Sequence, residues 1–369
     1  MRFSIEAEAL LKPLQAVHSV VERRQALPIL SNVLMVAKDG VLTLTGTDME
    51  VELVARTDAE DLEDGDVTVP ARKFVDICRS LPADAIVKFE VDGERAVVKC
   101  GRSRFNLATL SAADYPASEP PVNASRVRLP RGQLKRLIEL TQFAMAQQDV
   151  RYYLNGMLFE LEGNTVRAVA TDGHRLALAE VEAEEATDGA SRQLIMPRKG
   201  VLELAKLLAA DDEPVDLVVS TNAVRLDTEK LGFNTKLIDG RFPEYQRVIP
   251  SRDACDKEII ADREALRRAL QRTAILSNEK YRAVRLSLES GQLMVVASNP
   301  EQEQAEDVVE VDYEGESLEI GFNVQYLIDA LTTVPSESVR LYLTDSNSSC
   351  LILPADNDSC EYVVMPMRL

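Results

Sequence analysis

The chain has 369 residues, of which 46% are apolar and 28% charged, and its formal net charge is −19. Roughly 100 to 200 residues per domain gives two to four domains of ordinary globular composition. No apolar run nears the roughly 18 residues that cross a bilayer, and the charged opening MRFSIEAEALLKPLQ is unlike a secretory signal, so a cytoplasmic protein is expected.

In chain order, 8–21 reads as a helix, then LTLTGTDME (42–50) as an alternating strand and turn. A second helix over 71–81 is opened by Pro70, and SRFNLATL follows. The succession then returns: helix 131–145 opened by Pro130, VRAVATDGHRLA (166–177), helix 198–210 opened by Pro197, and LGFNTKLI. It returns once more with helix 262–276, LMVVASNPEQEQA (293–305), helix 323–334 and CEYVVMPM. Proline is tolerated at a helix start because the missing N–H would have no partner there. Asp48, Asp172 and Asn299 lie 124 and 127 residues apart; Pro70, Pro197 and Gly321 lie 127 and 124 apart; Phe105, Phe233 and Tyr362 lie 128 and 129 apart. A shared period of about 125 residues is the mark of a repeated domain. It predicts three domains of one fold, 1–122, 123–253 and 254–369, with joints near 117–128 and 248–258. Strands outnumber helices by about four to one, so the class is α+β, with antiparallel sheets packed on a few helices.

The five cysteines (Cys78, Cys100, Cys255, Cys350, Cys360) form no C-x-x-C, and His18 and His174 are the only histidines. A disulfide framework, a zinc site and any metal or other cofactor are therefore not expected. The charge, taken as an average, also argues against nucleic acid, since neutralising phosphates needs Lys and Arg. The average hides a pattern. The six helix windows hold fourteen Lys and Arg against seven Asp and Glu. In the second helix Phe74, Val75, Ile77, Cys78 and Leu81 make an apolar stripe, and Val201, Leu202, Leu204 and Leu208 repeat it in the fourth. Opposite the stripes stand Arg72 and Arg79, and Lys199 and Lys206, each pair seven residues apart and so along one face. Asp76 and Glu203 are expected on that face too, and the sixth helix has no Lys or Arg. Solvated helix faces are the plain alternative. If the basic faces converge, they make a loose positive surface suited to sliding over phosphates without reading bases. Helices packed about 10 Å apart leave no hole when six close a circle, whereas twelve leave roughly 28 Å clear, enough for a duplex about 20 Å wide. A hole for DNA would thus need two chains.

The chain resembles one family along effectively its whole length. The stretches LPILSNVL, TVPARKFVDICRSLP, QDVRYYLNGMLFE, ATDGHRLA, DGRFPEYQRVIP, AILSNEKYRAVRL, IGFNVQYLIDAL and YVVMPMRL are similar to those of the bacterial DNA sliding clamps, the beta subunit of DNA polymerase III. The resemblance implies three domains of the DNA-clamp fold and a head-to-tail homodimer, with helices lining a ring and sheets outside. The ring would encircle duplex DNA independently of sequence. It would be a non-catalytic processivity factor, tethering the replicative polymerase's catalytic subunit. Further partners implied are a clamp-loader ATPase, and other polymerases and repair proteins that carry a clamp-binding peptide. No membrane partner is implied, and the chain has no G-x-x-x-x-G-K-[ST] phosphate loop.

The resemblance also implies site residues. A hydrophobic peptide cleft would use Leu154, Thr171, Gly173, His174, Arg175, Leu176, Pro243, Arg247, Val248, Asn323, Tyr326, Val363, Met365, Pro366, Met367 and Arg368. DNA would meet Arg24, Arg72, Arg79, Gln148, Tyr152, Tyr153, Lys199 and Lys206, with VERRQ (21–25) more charged than the family's loop. The dimer contact would set Lys73, Ile77, Arg102, Arg104, Phe105 and Leu107 against Ile275, Leu276, Glu301, Glu303 and Glu306. The residues themselves support the cleft. TDMEVE and SNPEQE lack the histidine of TDGHRL, so His174 marks a duty peculiar to the second copy. The apolar, methionine-bearing C-terminus suits a pocket that accepts several partners. A buried structural histidine is the alternative. A hydrolase built on Asp172 and His174 would need a nucleophile or metal that nothing in the sequence signals. A three-domain scaffold that never meets DNA is the remaining rival.

Overall fold

The computed structural model describes residues 1–369 apart from 23–26, 117, 119–123, 184–190 and 369. Arg24 therefore lies outside the described residues. Among the described residues six α-helices are set among 25 strands: α1 (Ala7–His18), α2 (Ala71–Ser80), α3 (Arg131–Thr141), α4 (Arg198–Leu207), α5 (Arg263–Ala274) and α6 (Val324–Thr333). All six fall where apolar periodicity places them, and most stop a few residues short of the predicted ends. Past α3 the chain tightens into a 3-10 turn, Gln142–Ala144. Pro13 stands inside α1, where it removes one helical bond; buried Leu10, Leu14 and Val17 hold the helix on its sheet regardless. Pro70 and Pro130 are the last residues of strands and sit just before α2 and α3. The side chain of Asp262 caps α5 and that of Asn323 caps α6.

Two compact units are formed. The first holds Met1–Leu129, Leu202–Leu207 and Glu213–Leu237; the second holds Pro130–Val201, Leu208–Asp212 and Ile238–Leu369. The first unit has a five-stranded and an eight-stranded sheet. Its helix α2 buries Phe74, Val75 and Cys78, and Phe74 meets Phe89, which stacks on Phe3 at 4.9 Å. The second unit is built on one twelve-stranded sheet. Alternation of buried and exposed side chains follows the pleat, as in Lys257–Asp262.

The repeat reaches down to single hydrogen bonds. After the strands that bear Phe105, Phe233 and Tyr362, the chain turns back identically each time. The amide of Leu110 donates to Thr68 O, that of Ile238 to Ile195 O, and that of Met367 to Gly321 O. Each acceptor lies three residues before a second helix, so Gly321 is the counterpart of Thr68 and Ile195, and Asn323, not Gly321, that of Pro70 and Pro197.

Within each unit one strand pairing joins successive repeats. In the first, Leu231–Lys236 lies antiparallel to Val51–Asp58, with Phe233 opposite Leu53. In the second, Cys360–Val364 lies antiparallel to Arg175–Glu182, with Tyr362 opposite Ala177. In both, the strand ahead of the turn places Gly46 or Ala170 opposite that same residue. The third copy has Ala297 opposite Ala305, but Gln304–Asp312 meets a second strand only at Val311 and Asp312. Ser103–Ala108 ends its sheet, paired on one side only among the described residues.

One expectation about the helices is corrected. Glu203 is not on the exposed basic face. It is 6% exposed and accepts from Ser19 Oγ at 2.6 Å and Lys206 Nζ at 2.7 Å. The wheel placed it opposite the apolar stripe, but a tertiary partner covers it. Asp76 does stand exposed, 3.9 Å from Arg72 and 3.8 Å from Arg79.

Candidate functional site

The ATDGHRLA segment makes a tight turn between two strands, and its polar residues are used by that turn. Asp172 Oδ1 accepts the backbone N–H of His174 at 2.9 Å and of Arg175 at 3.0 Å. Thr171 Oγ1 donates to Arg175 O and accepts from the Gly173 amide. Thr47 and Asp48 make the same bonds in the first copy. Asp172 is therefore a turn residue held in a local side-chain-to-backbone motif. Gly173 has φ +87°, and a Cβ there would sit 2.8 Å from an Arg151 nitrogen. Arg151 is itself fixed by Asp149 and by Asp172 O, and its hydrogen bonds hold the Asp149 carboxyl down to about 2.

His174 is exposed and stacks against Tyr326 with ring centres 6.3 Å apart and planes at 18°. Its carbonyl accepts from the Met365 amide at 2.9 Å, which fixes the C-terminal segment beside it. Leu154, Leu176 and Val363, all at most 3% exposed, belong to one apolar cluster with Phe242, Tyr245 and Tyr342. They form the floor of this surface, with Thr171 at its edge. Met365, Pro366 and Met367 are half-buried, while Arg368, Pro243, Arg247 and Val248 are exposed. Asn323 spends its side chain on the Gln325 amide. Tyr245 is anchored by its hydroxyl on Glu160; burial, then that carboxylate, pushes its phenol up to about 12.

Arg175 is the best-connected cation of the site. Nε donates to Asp172 at 3.1 Å, Nη1 to the Asp329 carboxylate and Nη2 to Phe143 O at 2.9 Å. Its guanidinium lies 4.6 Å from the centre of the Tyr326 ring and 5.3 Å from that of Phe143. Burial, then the neighbouring Asp172, pushes the Tyr326 phenol up. Phe143 and Asp329 were not anticipated. Asp329 is the one charge in an otherwise uncharged sixth helix, and such a solitary acid is a sign of a specific partner.

Of the nucleic-acid candidates among the described residues, Arg72, Arg79, Gln148, Tyr152 and Lys206 are exposed, and Tyr153 is half-buried. Arg72, Arg79 and Lys206 keep side chains 60 to 65% accessible, and Lys199 is half-buried. Gln148 is exposed at φ +57°. Tyr152 is 56% exposed and meets Tyr153 edge-on at 5.8 Å. For the dimer candidates, Lys73, Arg102, Arg104, Glu301, Glu303 and Glu306 are exposed, Ile77, Phe105 and Leu276 are half-buried, and Leu107 is buried. Ile275 is 78% exposed, unusual for an isoleucine.

Family models for the N-terminal, central and C-terminal domains of the DNA polymerase III beta subunit match residues 1–119, 128–244 and 246–368. The beta sliding clamp of Pseudomonas putida is 56% identical over 370 residues, and that of Escherichia coli 50%, each with both chains fully covered. A crystal structure of the Pseudomonas aeruginosa sliding clamp bound to griselimycin is 54% identical, with TM-score 0.96 over the whole of both chains. The repeated fold and these likenesses define the class, a DNA sliding clamp. This chain belongs to the DNA polymerase III beta subunit family. As a member it is a processivity subunit and not itself an enzyme. No helix among the described residues is long and apolar enough to cross a membrane.

Proposed function

We propose that two copies of this chain close head to tail into a ring around duplex DNA in the cytoplasm, with domain boundaries at 122/123 and 253/254. The observation that carries the reading is the strand register. Two joints within the chain use one antiparallel pairing, and the edge strands Ser103–Ala108 and Gln304–Asp312 are left to make a third with another copy. Carrying the register over puts Phe105 opposite Ala305 and Arg104 opposite Glu306, a basic edge against an acidic one. The repeat also brings Lys73 to Glu303, the positions equivalent to Tyr326 and Arg175, which meet within the chain. Ile275, Leu276, Ile77 and Leu107 would supply the apolar contact, with Arg102 and Glu301 flanking it.

The basic residues Arg72, Arg79, Lys199 and Lys206, and separately Arg24, Gln148, Tyr152 and Tyr153, meet phosphates. The surface built on His174, Tyr326, Pro243, Arg247, Val248 and the segment 363–368 takes a short linear peptide. It serves the polymerase catalytic subunit, the clamp loader, and other polymerases and repair proteins. Half-buried methionines and Tyr326, beside exposed His174 and over an apolar floor, suit varied apolar peptide side chains. By likeness to its Pseudomonas aeruginosa relative, the chain is expected to take griselimycin as well.

Retention on DNA tests the ring. The protein is loaded on nicked circular duplex with a clamp loader and ATP, and the circle is then cut once. A topological link holds it on circles and releases it from the linear form; equal loss or equal retention on both refutes encirclement.

A further inference from the structure

We propose that the loop 278–282 of the third repeat is a further contact for the DNA phosphate backbone. The inference rests on the encirclement reading above. The loop is the counterpart of 148–154, as the bonds at its ends require. Arg282 O accepts from Val324 at the start of α6, just as Asn155 O accepts from Arg198 at the start of α4. Upstream, Thr273 Oγ1 donates to Ala269 O and Thr141 Oγ1 to Leu137 O, which aligns the last turns of α5 and α3. Between these anchors each loop is built on a side-chain turn. Asn278 Oδ1 accepts the amides of Lys280 and Tyr281, and Asp149 Oδ1 accepts that of Arg151. Each turn is also tied to the residue that ends its loop: the Arg282 amide donates to Asn278 O, and Asn155 Nδ2 to Asp149 O.

The presented groups differ in a way that favours the third repeat. In 148–154 the one cation, Arg151, is held by Asp149 at 2.8 Å. In 278–282 both Lys280 and Arg282 are exposed, and among the described residues neither has a carboxylate within ion-pair distance. Tyr281 is 54% exposed, close to the 56% of Tyr152, and the Lys280 ammonium lies 5.1 Å from its ring centre. Glu279 is the one acid in the loop, leaving a net positive charge. Two unneutralised cations beside an exposed phenol can bind phosphates and a sugar edge, with no apparatus for reading bases.

The test compares the full-length dimer with Lys280→Gln/Arg282→Gln on a fluorescent duplex oligonucleotide, by anisotropy over a series of KCl concentrations. Lys38→Gln/Lys88→Gln, on exposed sheet positions, controls for loss of charge in general. The expected result is weaker binding, with the slope of log affinity against log salt reduced by about 0.9 for each phosphate that is no longer neutralised, and an unchanged slope in the control. An unchanged slope in the loop variant overturns the inference, as does an equal change in the control. Sedimentation of the loop variant must still give the dimer. If it gives monomers, the loop belongs to the interface and the inference also fails. Loss of wild-type retention on circles would instead strike the encirclement reading itself.

Discussion

The Arg175 guanidinium lies 4.6 Å from the centre of the Tyr326 ring, and so couples a strand of the second repeat to a helix of the third. Three of its N–H groups are taken by Asp172, Asp329 and Phe143 O, so in the proposed cleft it would orient the wall more than offer bonds to a ligand. Removing it strands two largely covered carboxylates. Arg175→Ala is expected to cost about 2–3 kcal/mol, below the fully buried case because Asp329 stays partly wet. The check is a lowered melting temperature. Arg175→Lys should recover little of it, since an ammonium has neither the fork nor the plane.

His174→Ala removes the ring stacked on Tyr326 without touching the apolar floor. Affinity for a clamp-binding peptide should fall several-fold, for a contact worth about 1 kcal/mol, while retention on circular DNA is unaltered. Titration calorimetry with such a peptide decides it; unchanged affinity would remove His174 from the cleft.

The carried-over register makes a charge-swap prediction. Arg104→Glu and Glu306→Arg should each raise the dimer dissociation constant, by like-charge opposition on paired edges. Mixing the two variants should restore dimerisation, since one joint then pairs Glu with Arg and the other keeps the wild-type pair, and the double variant should restore both joints with swapped pairs. Sedimentation equilibrium measures this, and additive losses in the double variant would sink the register.

His18 supplies a pH test. Burial lowers its pKa below the ordinary 6.5, against Asp76 and with Arg79 and Arg72. Between the lowered value and 6.5 the unfolded chain binds more protons than the folded one, so stability rises with pH across that window and is lost as pH falls. His18→Asn should flatten the dependence of the urea midpoint below pH 6.5. A wild-type slope persisting in the variant would refute His18 as its source.

The repeat was legible because sheet pairing and turns repeat the same chemistry at the same spacing; Asp48 and Asp172 read as equivalent and make equivalent bonds. Helix positions were legible from apolar stripes. Local periodicity could not show what a distant segment covers. Glu203 looked exposed on its helix wheel until Ser19 was placed against it. Arg175 is expected in the cleft from the family resemblance, but its role as a tie was not legible, because Phe143 and Asp329 are 32 residues before it and 154 after it.

The two edge strands have a consequence for the unassembled chain. A lone copy presents raw backbone donors and acceptors along Ser103–Ala108 and the outer side of Gln304–Asp312, and such edges invite fibre growth. Arg104, Glu306 and Glu310 interrupt them with charge. Under the proposed head-to-tail pairing, the side chains that would select the mate would also act as gatekeepers, keeping newly made copies from polymerising before they meet one.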